Sequence, residues 1–337
     1  MKMKEWREVL VEVFKKKTDS VINIVALGLA VSFIPYLWLK IILCLFILYS
    51  AYRIVESILS IQREKHVPLA VVVYGDESTR DSFIDDCLRQ MDKWHFDEVT
   101  FSDLGVDRDD WCISHPGDLP ADAEQWKRVV QEFRHKLDLI KAKLKGPEFF
   151  HIFLKCRTAL VFGLGAAVGT WGNIILYQEI AGDFKPVIYL DNKTNLPNRH
   201  ASHTIKSKPE LPYKFIRPTI PERFTSPTLV ALNLAAHPPA PYVEIEAKKR
   251  NLSYVIIDNS YNNTLTEEDW FRAAQEVASV LLQLLKQASE LEIYASCPNA
   301  LAFAIGMALG DQCPASIFHL FAKDESYNKV LELNKLY

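Results

Sequence analysis

The strongest constraint on this chain is that part of it recurs. Residues 151–169, HIFLKCRTALVFGLGAAVG, align without a gap on residues 292–310, EIYASCPNALAFAIGMALG, so that Cys156, Ala159, Leu160, Phe162, Gly165, Ala167 and Gly169 return as Cys297, Ala300, Leu301, Phe303, Gly306, Ala308 and Gly310. Internal self-similarity of this kind marks one supersecondary unit used twice. Each copy runs on into an apolar strand, Ile174–Tyr177 or Ser316–Phe321, then a turn and a short strand near Val187 or Val330. Upstream, the β-branched run Leu69–Tyr74 matches Leu229–Ala235, and the amphipathic helix Ala121–Leu144 matches Glu267–Lys286. The pattern predicts α/β structure in two tandem Rossmann-like halves with mainly parallel sheets, about 66–190 and 227–337. The Pro-, Lys-, Ser- and Thr-rich stretch at about 191–226 reads as a connector.

The N-terminal sixty residues have a different character. From Ser20 to Tyr52 the only charge is Lys40. One straight helix of that length would be roughly 50 Å long, too long for a single crossing of a bilayer. Pro35 suits a turn between two shorter helices, with Tyr36, Trp38 and Lys40 as interfacial anchors. Residues 1–60 are therefore expected to form a membrane anchor of two transmembrane helices, about 19–34 and 37–56. Lysines and arginines on both flanks, Lys15–Lys17 before and Arg53, Arg63 and Lys65 after, predict that both ends lie in the cytoplasm.

A net charge of −3 and a pI near 6.3 supply no global basic field for polymeric DNA or RNA, but leave room for a small anion in a local pocket. The six cysteines lack CxxC spacing, so neither a zinc site nor a disulfide framework is predicted. His151, His237 and His319 have no second ligand at metal spacing. Gly163, Gly165 and Gly169 imitate a dinucleotide-binding turn, but the second copy has Ala304 in place of Gly163, and the strand in each copy lies earlier, at Phe149–Leu154 and Leu291–Ala295. The glycines thus fall inside a helix, where small residues four apart permit close packing on a sheet.

Ligands of open parallel sheets bind beyond the carboxyl ends of the strands, where helix N-termini present unpaired N–H groups to anions. The repeat names that edge twice. In the first half it comprises Tyr74, Gly75, Asp76, Ser78 and Thr79, then Lys155, Cys156, Arg157 and Thr158; in the second, Ala236 and His237, then Ser296, Cys297, Pro298 and Asn299. Lys155 and Arg157 would supply charge for phosphate, and Thr158 and Asn299 stand at equivalent capping-type positions.

The run Leu291–Gly306, with Ile317–Phe321 and Tyr327–Val330, resembles the SAVED domain of bacterial CBASS anti-phage systems, a fusion of two CARF-like Rossmann units; the likeness covers most of residues 66–337. With two N-terminal helices in front, the chain resembles a transmembrane-SAVED effector. The resemblance implies a non-enzymatic receptor, without a cofactor, for a cyclic di- or trinucleotide made by a cognate nucleotidyltransferase. It implies self-association on ligand binding, and a multi-pass inner-membrane protein whose lipid partner is disrupted to abort infection. Arg157 departs from the family proline that Pro298 supplies in the second copy. The alternative is a membrane-tethered enzyme, either a nicotinamide oxidoreductase using Gly163, Gly165 and Gly169 or a ring nuclease.

Overall fold

The computed structural model describes residues 41–42, 44–52, 65–73, 77–93, 110–144, 148–170, 172–191, 199–261, 265–266, 269–321 and 326–337. The chain divides into two compact units, Met1–Glu64 with Lys145–Pro147, and Lys65–Leu144 with Glu148–Tyr337.

In the first unit, residues 41–42 and 44–52 are helical. The expected transmembrane hairpin is overturned: no helix among the described residues is long and apolar enough to cross a membrane. The continuous described run, residues 44–52, covers roughly 14 Å, against the ~30 Å of a hydrocarbon core. The expected first helix, 19–34, and the ends of the second lie outside the described residues. The inner-membrane, multi-pass placement rested on that hairpin and falls with it.

In the second unit the described residues form two six-stranded sheets, ordered β2-β1-β3-β4-β5-β6 and β12-β11-β10-β8-β9-β7. The first comprises β1 (Lys65–Val73), β2 (Cys112–His115), β3 (Glu148–Lys155), β4 (Asn173–Ile180), β5 (Asp183–Leu190) and β6 (Arg199–His200). The second comprises β7 (Ile216–Thr219), β8 (Thr228–Asn233), β9 (Tyr254–Asn259), β10 (Leu291–Ser296), β11 (Ala315–Phe321) and β12 (Ser326–Glu332). Read in the same direction, β2-β1-β3-β4-β5 and β9-β8-β10-β11-β12 have one topology: four parallel strands with an antiparallel hairpin partner at the end. The sheets are mainly parallel, as two Rossmann-like halves require. The stretch read as a connector gives one strand to each of them, β6 beside β5 and β7 beside β9.

The helices are α1 (Glu77–Lys93), α2 (Ala123–Lys143), α3 (Thr158–Val168), α4 (Ala240–Arg250), α5 (Asp269–Leu284) and α6 (Asn299–Leu309). In α2 the Asp122 side chain accepts the Glu124 N–H at 3.1 Å as an N-cap, and Lys141 and Lys143 close the last turn. Its buried stripe, Trp126, Val129, Val130, Phe133, Leu137 and Ile140, follows the helical period and docks it on the core. Two helices, α3 and α6, are apolar all round and almost wholly buried. They occupy corresponding stretches of the repeat, and each ends on a glycine with positive φ, Gly169 at 62° and Gly310 at 73°.

These two helices join the halves. A Cβ on Gly165 would collide with the Phe303 carbonyl, and one on Gly306 with the Phe162 carbonyl. The small residues thus serve a helix-to-helix contact rather than the packing on a sheet that their spacing suggested. Gly163 meets side chains instead, with Val130 2.9 Å from the position of an added Cβ. Glycines inside a helix, backed by the partner helix, are not a phosphate-binding turn.

Candidate functional site at the meeting of the two carboxyl edges

The strands β3 and β10 end at Lys155 and Ser296, and α3 and α6 start three residues later. The two loops between them, expected as separate ligand edges, are brought together. Thr158 Oγ1 donates to the Cys297 carbonyl at 3.1 Å. In return Asn299 Nδ2 donates to the carbonyls of Cys156 at 3.1 Å and Leu154 at 3.3 Å. Arg157 and Pro298 are the N-caps, and neither makes a side-chain cap hydrogen bond. Thr158 and Asn299, expected to cap, are instead the first helical residues and reach across to the opposite half.

The positive ends of two helix dipoles therefore meet at this seam, and neither first turn contains an acidic residue. Gln178 Oε1 accepts the Ala300 N–H at 3.1 Å, one of the donors that a helix start leaves open. The Arg157 guanidinium is held by Asp118, its Nη2 lying 3.0 and 3.1 Å from the two carboxylate oxygens. That pair is largely exposed, a geometry in which an ion pair contributes little and exchanges readily. Lys155 is exposed, its Nζ 5.9 Å from the centre of the Phe83 ring.

Cys156 and Cys297 are buried, and burial pushes both thiols well above their ordinary range, so they are packing groups and not nucleophiles. On the second-half edge the His237 N–H donates to Ser296 Oγ at 3.3 Å, beside exposed Ala236. Thr79 lies in the first turn of α1, where its carbonyl accepts from Ser82 Oγ at 3.1 Å, and Ser78 lies in the same turn. Tyr74, Gly75 and Asp76 lie outside the described residues.

The histidines divide. His319 packs against Trp126 and Phe321, with ring centroids at 5.2 and 4.8 Å, and burial together with the Arg157 charge pulls its pKa down to about 4. His151 is buried between His66 Nδ1 at 2.9 Å and the Tyr177 hydroxyl at 3.0 Å; burial, then His66, pulls it well below the usual range. Among the described residues, no group of three or more His, Cys, Asp or Glu is placed to hold a metal.

Sequence reasoning missed Asp118 and Gln178, because each acts on a residue far away in sequence. It also missed a cavity of about 770 Å³, which no predicted site residue lines; Arg199, His200, Lys208, Phe271 and Arg272 are among those that do.

No curated protein matches the chain in sequence. Among solved structures, the chain is similar to the Acinetobacter baumannii Cap4 SAVED/CARF-domain containing receptor with the cyclic trinucleotide 2'3'3'-cAAA, with a TM-score of 0.51 and 14% identity, over 85% of this chain and 56% of that one. The Moraxella osloensis Cap4 SAVED/CARF-domain containing receptor gives a TM-score of 0.45 and 17% identity, over 64% and 43%. The chain spans about half the length of these receptors, and at such identities the likeness is one of fold. Residues 199–333 match the family described as SMODS-associated and fused to various effectors sensor domain, so that from β6 to the end of β12 the chain is similar to a SAVED sensor.

Proposed function

We propose that this chain is the sensor of a CBASS-type antiviral system and binds a cyclic oligonucleotide at the seam between its two halves. The observation that carries this reading is the reciprocal pair of bonds from Thr158 to Cys297 and from Asn299 to Cys156, which holds two helix N-termini side by side. A ring of phosphates presents several anions at once, and two adjoining positive helix ends, with Lys155 and Arg157 beside them, match it. The family match and the similar fold of a receptor holding 2'3'3'-cAAA support a cyclic trinucleotide as the ligand class.

The ligand is bound and released unchanged, and its output is association of copies of this chain. The seam offers basic and hydrogen-bonding groups for phosphate, with its two cysteines buried and protonated at neutral pH.

Isothermal titration of the full chain with 2'3'3'-cAAA, 3'3'3'-cAAA and a set of cyclic dinucleotides tests this. Saturable one-to-one binding of at least one ring is expected, weakened at least tenfold by reversing charge at Lys155 and Arg157 together. Intact ligand by mass spectrometry and a larger scattering mass on binding complete the expected result. No binding by any ring, or binding indifferent to the double reversal, overturns the reading.

A further inference from the structure

The connector does more than link. Its described residues, together with both halves, line an open cleft of about 770 Å³, inside the ~300–1,000 Å³ range of small-molecule clefts. Asp191, Arg199 and His200 come from the end of β5 and from β6 in the first half; Phe271 and Arg272 come from the first turn of α5 in the second. None of these is at the seam.

Part of the lining is fixed by bonds within the chain. Buried Glu276 accepts the main-chain N–H groups of Lys214 at 2.8 Å, Phe215 at 2.8 Å and Ile216 at 3.2 Å. Gln275 donates to the Thr204 carbonyl at 2.9 Å and to Ser207 Oγ at 2.6 Å. The His200 ring lies on Phe271, with centroids 3.8 Å apart and planes 6° from parallel. A cleft whose walls are set beforehand binds at a reduced ordering cost.

Its charges do not cancel. Asp191 is committed to Arg199 at 3.1 Å, and Glu276 to its three N–H groups. Hydrogen bonding leaves the Glu276 charge in place, so that Arg199, Lys208, Lys214 and Arg272 stand against Asp191, Glu210 and Glu276, a balance of +1. Lys214 lies 3.9 Å from Asp269, whereas Lys208 and Arg272 make no hydrogen bond or ion pair among the described residues. The cavity therefore offers two uncommitted cations and one carboxylate, Glu210, beside an aromatic pair.

We infer that this cavity is a second small-molecule site, for a phosphate-bearing ligand of mononucleotide size, with Arg272 and Lys208 on the phosphate and the flat part against the His200 ring, which Phe271 backs. An occupant would touch both halves at once. The assignment stands independently of the cyclic-oligonucleotide reading, since it shares no residue with the seam.

Thermal melting of the full chain with AMP, inorganic phosphate and citrate decides it. AMP is expected to raise the Tm by about 2–4 °C at millimolar dose, and inorganic phosphate by less. The exposed pair Arg272→Gln with Lys208→Gln keeps the Tm of the unliganded chain and loses the AMP shift. Absence of an AMP shift, an equal shift in the double variant, or removal of the shift by saturating 3'3'3'-cAAA overturns the assignment. A citrate shift as large as that of AMP overturns the phosphate preference. A chain that binds no cyclic ring yet shows the Arg272-dependent AMP shift keeps this site and loses the receptor reading.

Discussion

Gly165 and Gly306 each leave room for the main chain of the other's helix: the Phe303 carbonyl stands where a Gly165 side chain would be, and the Phe162 carbonyl where a Gly306 side chain would be. Backbone cannot rotate aside as a flexible side chain can. Gly165→Ala and Gly306→Ala are each expected to destabilise the fold by about 1–3 kcal/mol, read as a lower midpoint in chemical denaturation. Gly163→Ala meets only the Val130 and Leu331 side chains and should cost less. Equal costs at all three positions would contradict the close approach of α3 and α6.

Asn299→Ala removes the donor shared by the Leu154 and Cys156 carbonyls. Partly buried carbonyls left unpaired cost about 1–3 kcal/mol, so a loss in that range is expected from denaturation curves. Thr158→Val removes a single bond and should cost less.

Asp118→Asn weakens the hold on Arg157. If the guanidinium serves a phosphate, the variant binds the cyclic trinucleotide more tightly, by a factor of about 3–10, because less Coulomb energy must be exchanged. Unchanged affinity by titration would place Arg157 outside the contact.

The histidines set an acid limit. His319 is depressed to about 4 and His151 also lies below its usual range, so their folded pKa values are lower than those of the unfolded chain, near 6.5. The unfolded state then takes up the protons first: stability is fully present above about pH 6.5 and falls as the pH drops toward 4. His319→Gln should flatten that fall, measured as midpoint against pH; an unchanged slope in that variant would contradict it.

Glu276→Gln would turn an amide NH2 toward main-chain N–H donors that now share two carboxylate oxygens. A loss of about 1–3 kcal/mol is expected, together with weaker AMP protection as the Lys214 wall loosens.

The repeat was legible because identical residues recur in an unbroken register, and α3 and α6 start and stop at corresponding residues. What these residues do was less legible. Thr158, Asn299 and the glycines find their partners in the other copy, and no local pattern records a partner so distant. The connector hid its strands for a different reason. The strand β6 has two residues, and β7 carries Pro218 at a sheet edge, where a missing N–H is tolerated, so neither shows alternation. The cavity draws on three separate stretches of chain. The N-terminal expectation rested on apolar composition alone, and among the described residues no helix is long and apolar enough to cross a membrane.

The reciprocal bonds across the seam have the arrangement of a dimer contact, but they lie within a single polypeptide. In a true homodimer any substitution must appear on both sides at once. Here the sides have diverged, with Arg157 opposite Pro298, Thr158 opposite Asn299 and Lys155 opposite Ser296. A seam built this way is freed from two-fold symmetry, so that a ring bound there, as proposed, would meet different groups from the two halves.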